Sequence, residues 1–173
     1  IKEMQIMNMG NYAHGNQPIQ HMLYLYNYAG KPWMTQRRIR QILDLWYGDG
    51  PLGFCGDEDY GEMSSWYILS AMGFYTVVPG RPVYDIGSPL FEKSTIDIGD
   101  GKKFTIECRN ISTQNKYIQS ASMNGKELNR AWFTHEELMQ GGTLLLNMGP
   151  RPNKKWATDI ENLPVSLTPI SSK

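Results

Sequence analysis

The hydrophobic period changes once along this chain, near residue 80, and that change limits the fold more than any other feature. Before it, apolar residues recur at helical spacing. In "QPIQHMLYLYNYAG", Met22, Leu23, Leu25 and Tyr26 form a broad face, with Pro18 suited to a first turn and Gly30 to a stop. In "KPWMTQRRIRQILDLWYGDG", Ile39, Ile42, Leu43 and Trp46 recur, Thr35 is the expected cap, and Gly48 and Gly50 end the element. The third helix, "GEMSSWYILSAMGFY", is apolar almost all round and ends near Gly73. Such a helix is expected to be deeply buried.

After "VVPGRPVYDIGSP", alternation takes over. A hairpin is expected around Gly99-Asp100-Gly101 and another around Asn124-Gly125. A short helical turn in "WFTHEELMQ" then precedes a strand from Thr143 to Met148. Helices first and antiparallel strands second is an α+β order. Two amphipathic helices cannot cover a third that is apolar all round, so the helices look short of neighbours. The chain also starts at Ile1, without an initiator Met. The missing Met leads to the expectation of a processed chain or a piece of something longer, and the uncovered helix to a fragment of a larger helical body.

Composition excludes several function classes. Lys plus Arg equal Asp plus Glu at 17 each, so no excess charge favours nucleic acid or a membrane surface. No apolar run reaches the roughly 20 residues of a membrane span, and no signal peptide is evident. Cys55 and Cys108 are too few for a disulfide framework; two buried thiols are expected, with one bridge as the alternative. His14, His21 and His135 lack zinc spacing and read as packing or hydrogen-bonding residues. Five Trp and ten Tyr either fill a core or offer faces on which sugar rings stack.

Chemistry concentrates in "CGDEDYGEMSSW", where Asp57, Glu58, Asp59 and Glu62 crowd the entrance to the third helix. Like charges this close raise one another's pKa, so crowding needs a reason. One reason is capping, with Asp57 or Asp59 accepting from free N–H groups near Gly61. A cap needs only one acid, and the others then suit a cation or acid–base work. A second segment, "HGNQPIQH", also opens a helix, with Asn16 in capping position. Its amide oxygens, together with carboxylates, suit a hard cation such as calcium, although the spacing is not that of an EF-hand.

"GNQPIQHMLYLYNYAGKPWMTQ", "CGDEDYGEMSSWYILSAMGFYTVVPG" and "YDIGSPLFEKSTI" together resemble the family 92 glycoside hydrolases, calcium-dependent exo-α-mannosidases best known from gut Bacteroidetes. The resemblance continues through "GKKFTIECRN", "YIQSASMNGK" and "HEELMQGGTLLLNMGPRPNKKW" and covers nearly the whole chain. It implies an inverting hydrolase built from an N-terminal β-sandwich and an (α/α)6 barrel. Residues 1–80 would be the terminal helices of that barrel, and residues 81–173 an antiparallel β segment packing on it.

By the same resemblance Asp59 is the general base and Asp57 its supporting carboxylate, both on a common side if the segment is extended. Calcium, which in the family contacts the mannose hydroxyls at C2 and C3 and helps distort the ring, would be held or lined by Asn16, Gln17 and Glu58. Some members carry Glu where Gln17 stands, so ligand charge is lower here. The family's general acid lies in an upstream segment with no counterpart in this sequence, and Glu62, Glu92 and Glu107 do not match its context. The implied partners are a mannose-containing glycan and the upstream part of the same enzyme, in the periplasm, at the cell surface or secreted. The isolated chain is expected to be nearly inactive. The alternative from another class is a non-catalytic carbohydrate-binding or structural fragment, which would have no need of Asp57 and Asp59 together.

Overall fold

The computed structural model describes residues 12–51 and 53–166. A 3-10 helix, Gln17–Tyr24, opens the fold and runs into α1, Leu25–Tyr28. Pro18 stands in its first turn, and Gly30 follows α1 with φ 66. The apolar pattern called for one α-helix here; most of it is the tighter 3-10 form, whose i→i+3 bonds use the same face. Helix α2, Pro32–Trp46, starts earlier than Thr35. Pro32 takes the first helical position, where its missing N–H costs nothing, and Thr35 is buried inside the helix instead of capping it. Helix α3, Glu62–Met72, ends at Gly73, whose φ of 105 lets its N–H bond Leu69 and Ser70 carbonyls.

Three short strands follow or flank these helices. β1, Phe74–Tyr75, pairs with β2, Val83–Ile86, which pairs with a later strand β7, Trp132–Thr134, all antiparallel. The larger sheet holds β3, Lys93–Gly99, β4, Lys102–Arg109, β5, Tyr117–Met123, β6, Lys126–Glu127, and β8, Gly142–Gly149. Its order is β3-β4-β8-β5-β6. Both expected hairpins form: Asn124 and Gly125 are both left-handed, at φ 51 and 79, as a two-residue turn requires. One pair departs from the antiparallel expectation, because β8 runs parallel to β4 from Phe104↔Gly142 to Arg109↔Asn147. The short helix α4, His135–Gln140, begins with a capping box between Thr134 and Glu137.

Two cores result. Alternate residues of β4, β5 and β8, among them Phe104, Ile106, Ile118, Leu144 and Leu146, pack with Phe133 under the large sheet. The second core joins the helices through Tyr24, Ile39, Ile42, Leu43 and Trp66. Helix α3 belongs to both: Trp66 sits in the helical core, and Leu69 and Met72 pack on the sheet core. Burial of α3 is not all-round, however, since Ile68 is 54% exposed.

Buried polar groups stitch the two parts. Gln36 on α2 accepts from Ile118 N–H at 3.0 Å, and Arg40 donates to Pro89 O at 3.0 Å. Asn27 donates to the carbonyls of Ile86 and Ala131 and to the Asp85 carboxylate. Asp85 is fully buried, and burial pushes its carboxyl up to about 7.

Candidate active site

The acidic loop and the "HGNQ" segment meet. Gly15 and Gly56 lie backbone to backbone: a Cβ on Gly56 would sit 2.8 Å from Gly15 Cα, and one on Gly15 the same distance from Cys55 O. Only glycines permit this approach. Beside it, the Gln17 amide Nε2 donates to Asp57 O at 2.9 Å. Two segments 40 residues apart in sequence thus form one surface.

A buried aromatic cluster sets this surface from below. His14 is fully buried, with Nδ1 2.7 Å from the Tyr12 hydroxyl and Nε2 2.7 Å from that of Tyr47. Burial lowers its pKa to about 3, so the ring is neutral near pH 7. One arrangement uses every proton: Tyr12 donates to Nδ1, Nε2–H donates to Tyr47, and Tyr47 donates on to Met63 O. Trp66 meets the His14 ring edge-on at 4.2 Å. As read from spacing, His14 is a packing and hydrogen-bonding residue. Most of the aromatic content is likewise core. Aromatic rings also line an open depression, formed by Tyr47, Phe54, Tyr67 and Asp49, next to the acidic loop in sequence.

The acids divide their tasks. Asp57, Asp59 and Glu62 are exposed. The helix cap is neither Asp57 nor Asp59 but Glu58. Its Oε2 accepts from Gly61 N–H at 3.0 Å, and its Oε1 accepts from Ser64 N–H at 2.9 Å and from the Ser64 hydroxyl. The Ser64 hydroxyl, ahead of the backbone donors, holds the Glu58 carboxyl below the usual carboxylate range. The extended backbone that would put Asp57 and Asp59 on one side is absent at Asp59. Asp59, Tyr60 and Gly61 are all left-handed, at φ 56, 58 and 97. Two consecutive non-glycine residues in that region cost on the order of 1–3 kcal/mol each and cluster at functional sites. Ser64 escaped the sequence reading, and Gly61 entered it only with Asp57 or Asp59 as the capping acid. The signal was there: a helix whose N-cap is glycine has no capping side chain of its own, which leaves its first N–H groups open to an upstream acid.

The donor types near Asn16 fit calcium. Asn16 is exposed and Gln17 is part-exposed; both offer hard oxygens, and Gln17 lies against the Asp57 backbone. Calcium takes roughly six to eight oxygens, more than these two residues supply. Glu58 fits less well, because both its oxygens already accept hydrogen bonds at α3. Among the described residues no group of three or more His, Cys, Asp or Glu is placed to hold a metal ion. A cleft lined by Asn124, Lys126, Arg130, Glu137 and Asn162 among others shares no residue with this site.

Comparison with known proteins shows the family. Residues 1–150 match the sequence model of the glycosyl hydrolase family 92 catalytic domain. A solved family GH92 inverting mannosidase from Bacteroides thetaiotaomicron is 49% identical with TM-score 0.87; the match covers 95% of this chain and 22% of that one. A family GH92 α-mannosidase from the same organism is 37% identical with TM-score 0.90, covering 94% and 22%. An uncharacterized secreted glycosidase from Arthroderma benhamiae is 36% identical over 156 residues, 88% of this chain and 20% of the relative. This chain therefore spans about a fifth of the length of the proteins it matches. It belongs to glycoside hydrolase family 92.

Proposed function

We propose that this chain supplies the general-base side of an exo-α-mannosidase that hydrolyses terminal α-mannose from glycans with inversion. The observation that carries the reading is the pair of exposed acids, Asp57 and Asp59, on a loop held against the Asn16–Gln17 segment. Residues 1–80 are read as the end of the (α/α)6 catalytic barrel and residues 81–173 as the β segment that closes on it.

Asp59 takes a proton from water as that water attacks the anomeric carbon, and Asp57 orients the water or tunes the base. The general acid, a glutamate of another segment, protonates the leaving oxygen from the opposite face. In an inverting pair the two carboxyls stand roughly 6.5–9.5 Å apart, leaving room for the water. Asn16 and Gln17 are the residues of this chain assigned to calcium, with Glu58 holding the weakest claim of the three. Bound calcium would engage the hydroxyls at C2 and C3 of the mannose and favour a flattened ring. The secreted relative supports export of the full enzyme to the periplasm, cell surface or medium. No helix among the described residues is long and apolar enough to cross a membrane.

The test is Asp59→Asn in the full-length enzyme that carries this segment, assayed on an α-mannoside with calcium. Loss of a general base is expected to lower kcat/KM by about 10²–10⁴-fold. Near-wild-type turnover, with an unchanged melting temperature, would sink the assignment and favour a binding or structural role. Full activity after chelation by EDTA would remove calcium from the reading.

A further inference from the structure

We infer that Glu58 is a positioning residue: it clamps the loop that carries Asp57 and Asp59 onto the first turn of α3, and it does so through Gly61 and Ser64. This rests on the reading of Asp59 as the base. The geometry of the clamp is specific. Glu58 Oε2 takes Gly61 N–H at 3.0 Å, and Oε1 takes Ser64 N–H at 2.9 Å together with the Ser64 hydroxyl. The backbone of the same residue joins in, as Met63 N–H donates to Glu58 O at 3.2 Å. Residue 58 is thus tied to residues 61, 63 and 64 at once.

The clamp encloses strain. Asp59 and Tyr60 sit between the tied residues with φ of 56 and 58, a conformation L side chains rarely adopt in succession. Tyr60 is fully exposed, so its own packing does nothing to hold it there. Released from Glu58, Asp59 and Tyr60 would relax towards the ordinary helical or extended regions, and the Asp59 side chain would swing with its backbone. On the other side Gln17 holds Asp57 O at 2.9 Å. Both proposed catalytic acids therefore hang from fixed points, and Glu58 lies between them in the chain with both its oxygens turned onto α3. A cap on an ordinary helix needs one side-chain oxygen; here both oxygens of one carboxylate span the strained turn.

Misplacing a catalytic group by about 1 Å costs on the order of 10²-fold in rate. In the full-length enzyme Glu58→Gln is accordingly expected to lower kcat by about 100-fold, with KM and the calcium concentration for half-maximal activity little changed. Ser64→Ala, a milder cut of the same clamp, is expected to lower kcat by about 10-fold, and the double variant to be no worse than Glu58→Gln alone. Hydrogen exchange of the amides of residues 59–64 is expected to quicken in both variants, a readout independent of activity. Unchanged exchange and unchanged kcat in Glu58→Gln would overturn the inference. So would a raised calcium requirement in Glu58→Gln that Ser64→Ala does not share, since that is the behaviour of a ligand. If Asp59→Asn keeps its activity while exchange still quickens, the clamp stands and the base assignment fails.

Discussion

The helices from residue 17 to 72 and the large sheet from residue 93 to 149 treat their polar groups differently. Among the described residues, the buried side-chain atoms without a hydrogen-bond partner all belong to the helical part. They are Gln20 Oε1, Asn27 Oδ1, Thr35 Oγ1, Gln36 Nε2, Arg40 Nε, Trp46 Nε1 and Trp66 Nε1. Among the described residues the sheet from 93 to 149 buries no polar side chain, and polar groups in and beside it find partners. Trp156 Nε1 donates to Leu128 O, Asn124 binds both Gly141 O and Thr143 N–H, and Thr134 and Glu137 close a capping box. The helical part also exposes large apolar side chains, with Leu45 at 63% and Ile68 at 54%. A lone buried donor or acceptor costs about 1–3 kcal/mol, so a region rich in them relies on groups beyond itself. The sheet closes on its own hydrogen bonds, while the helices are finished by something else. That fits a chain spanning about a fifth of its relatives, and it places the candidate site in the dependent part.

The largest expected effect tests the self-sufficient part. Phe133 is fully buried and stacks with Phe104 at 5.5 Å, so Phe133→Ala should cost about 3–5 kcal/mol. Chemical denaturation of the full-length enzyme measures this, and a loss under about 1 kcal/mol would mean the sheet core is not the anchor it looks.

The seam between the parts gives the next effect. Asp85 accepts from Asn27 and from the Tyr28 hydroxyl, both at 3.3 Å, yet burial dominates and holds its pKa up near 7 against an ordinary 3.8. The sign follows from proton uptake: the folded form keeps the proton longer, so ionisation is penalised only in the folded state. Below pH 4 there is no penalty; it grows as pH rises from about 4 to 7 and is complete above, amounting to a few kcal/mol. Asp85→Asn removes the titration. The melting temperature of the wild type should therefore fall relative to that variant between pH 4 and 7 and run parallel to it above. A pH-independent difference would break the seam as described.

Gly73→Ala should cost about 2 kcal/mol, because φ of 105 strains any side chain and the new Cβ would meet Pro89 Cγ at 2.4 Å. A neutral melting shift would show that the α3 terminus and the Pro89 segment move freely past each other.

These contrasts also explain what could be read before any fold was known. Punctuation was legible where one residue type solves a local problem: Pro18, Gly30, Gly73, Gly99-Asp100-Gly101 and Asn124-Gly125 all mark real boundaries. β1 and β7 were not, because strands of two and three residues carry no period. The parallel pairing of β8 with β4 was hidden because it joins residues about 38 apart in sequence, and alternation does not encode strand direction. At the site, the crowding of acids and the "HGNQ" segment were visible, and the Gly15–Gly56 approach brings them together. Which acid caps was invisible, since Glu58 is selected by the left-handed run after it and by Ser64 six residues on.

The smallest effects sharpen the comparison most, because they ask what lies over each part. Ile68 and Phe91 are similarly exposed, at 54% and 48%, one on α3 and the other just before β3. Were both bathed in water in the complete enzyme, replacing either by Ser would change stability by about 0.5 kcal/mol or less. If further structure covers the helices, Ile68→Ser instead strips apolar contact from a buried position and leaves a hydroxyl to be satisfied there, costing about 2 kcal/mol or more. Phe91→Ser should remain near neutral, because the sheet part already closes its own hydrogen bonds. Melting temperatures of the two variants in the full-length enzyme decide the matter. Equal small shifts would mean that the helical part's exposed apolar face stays open in the whole protein, and the orphaned polar atoms beneath it would then need partners from water.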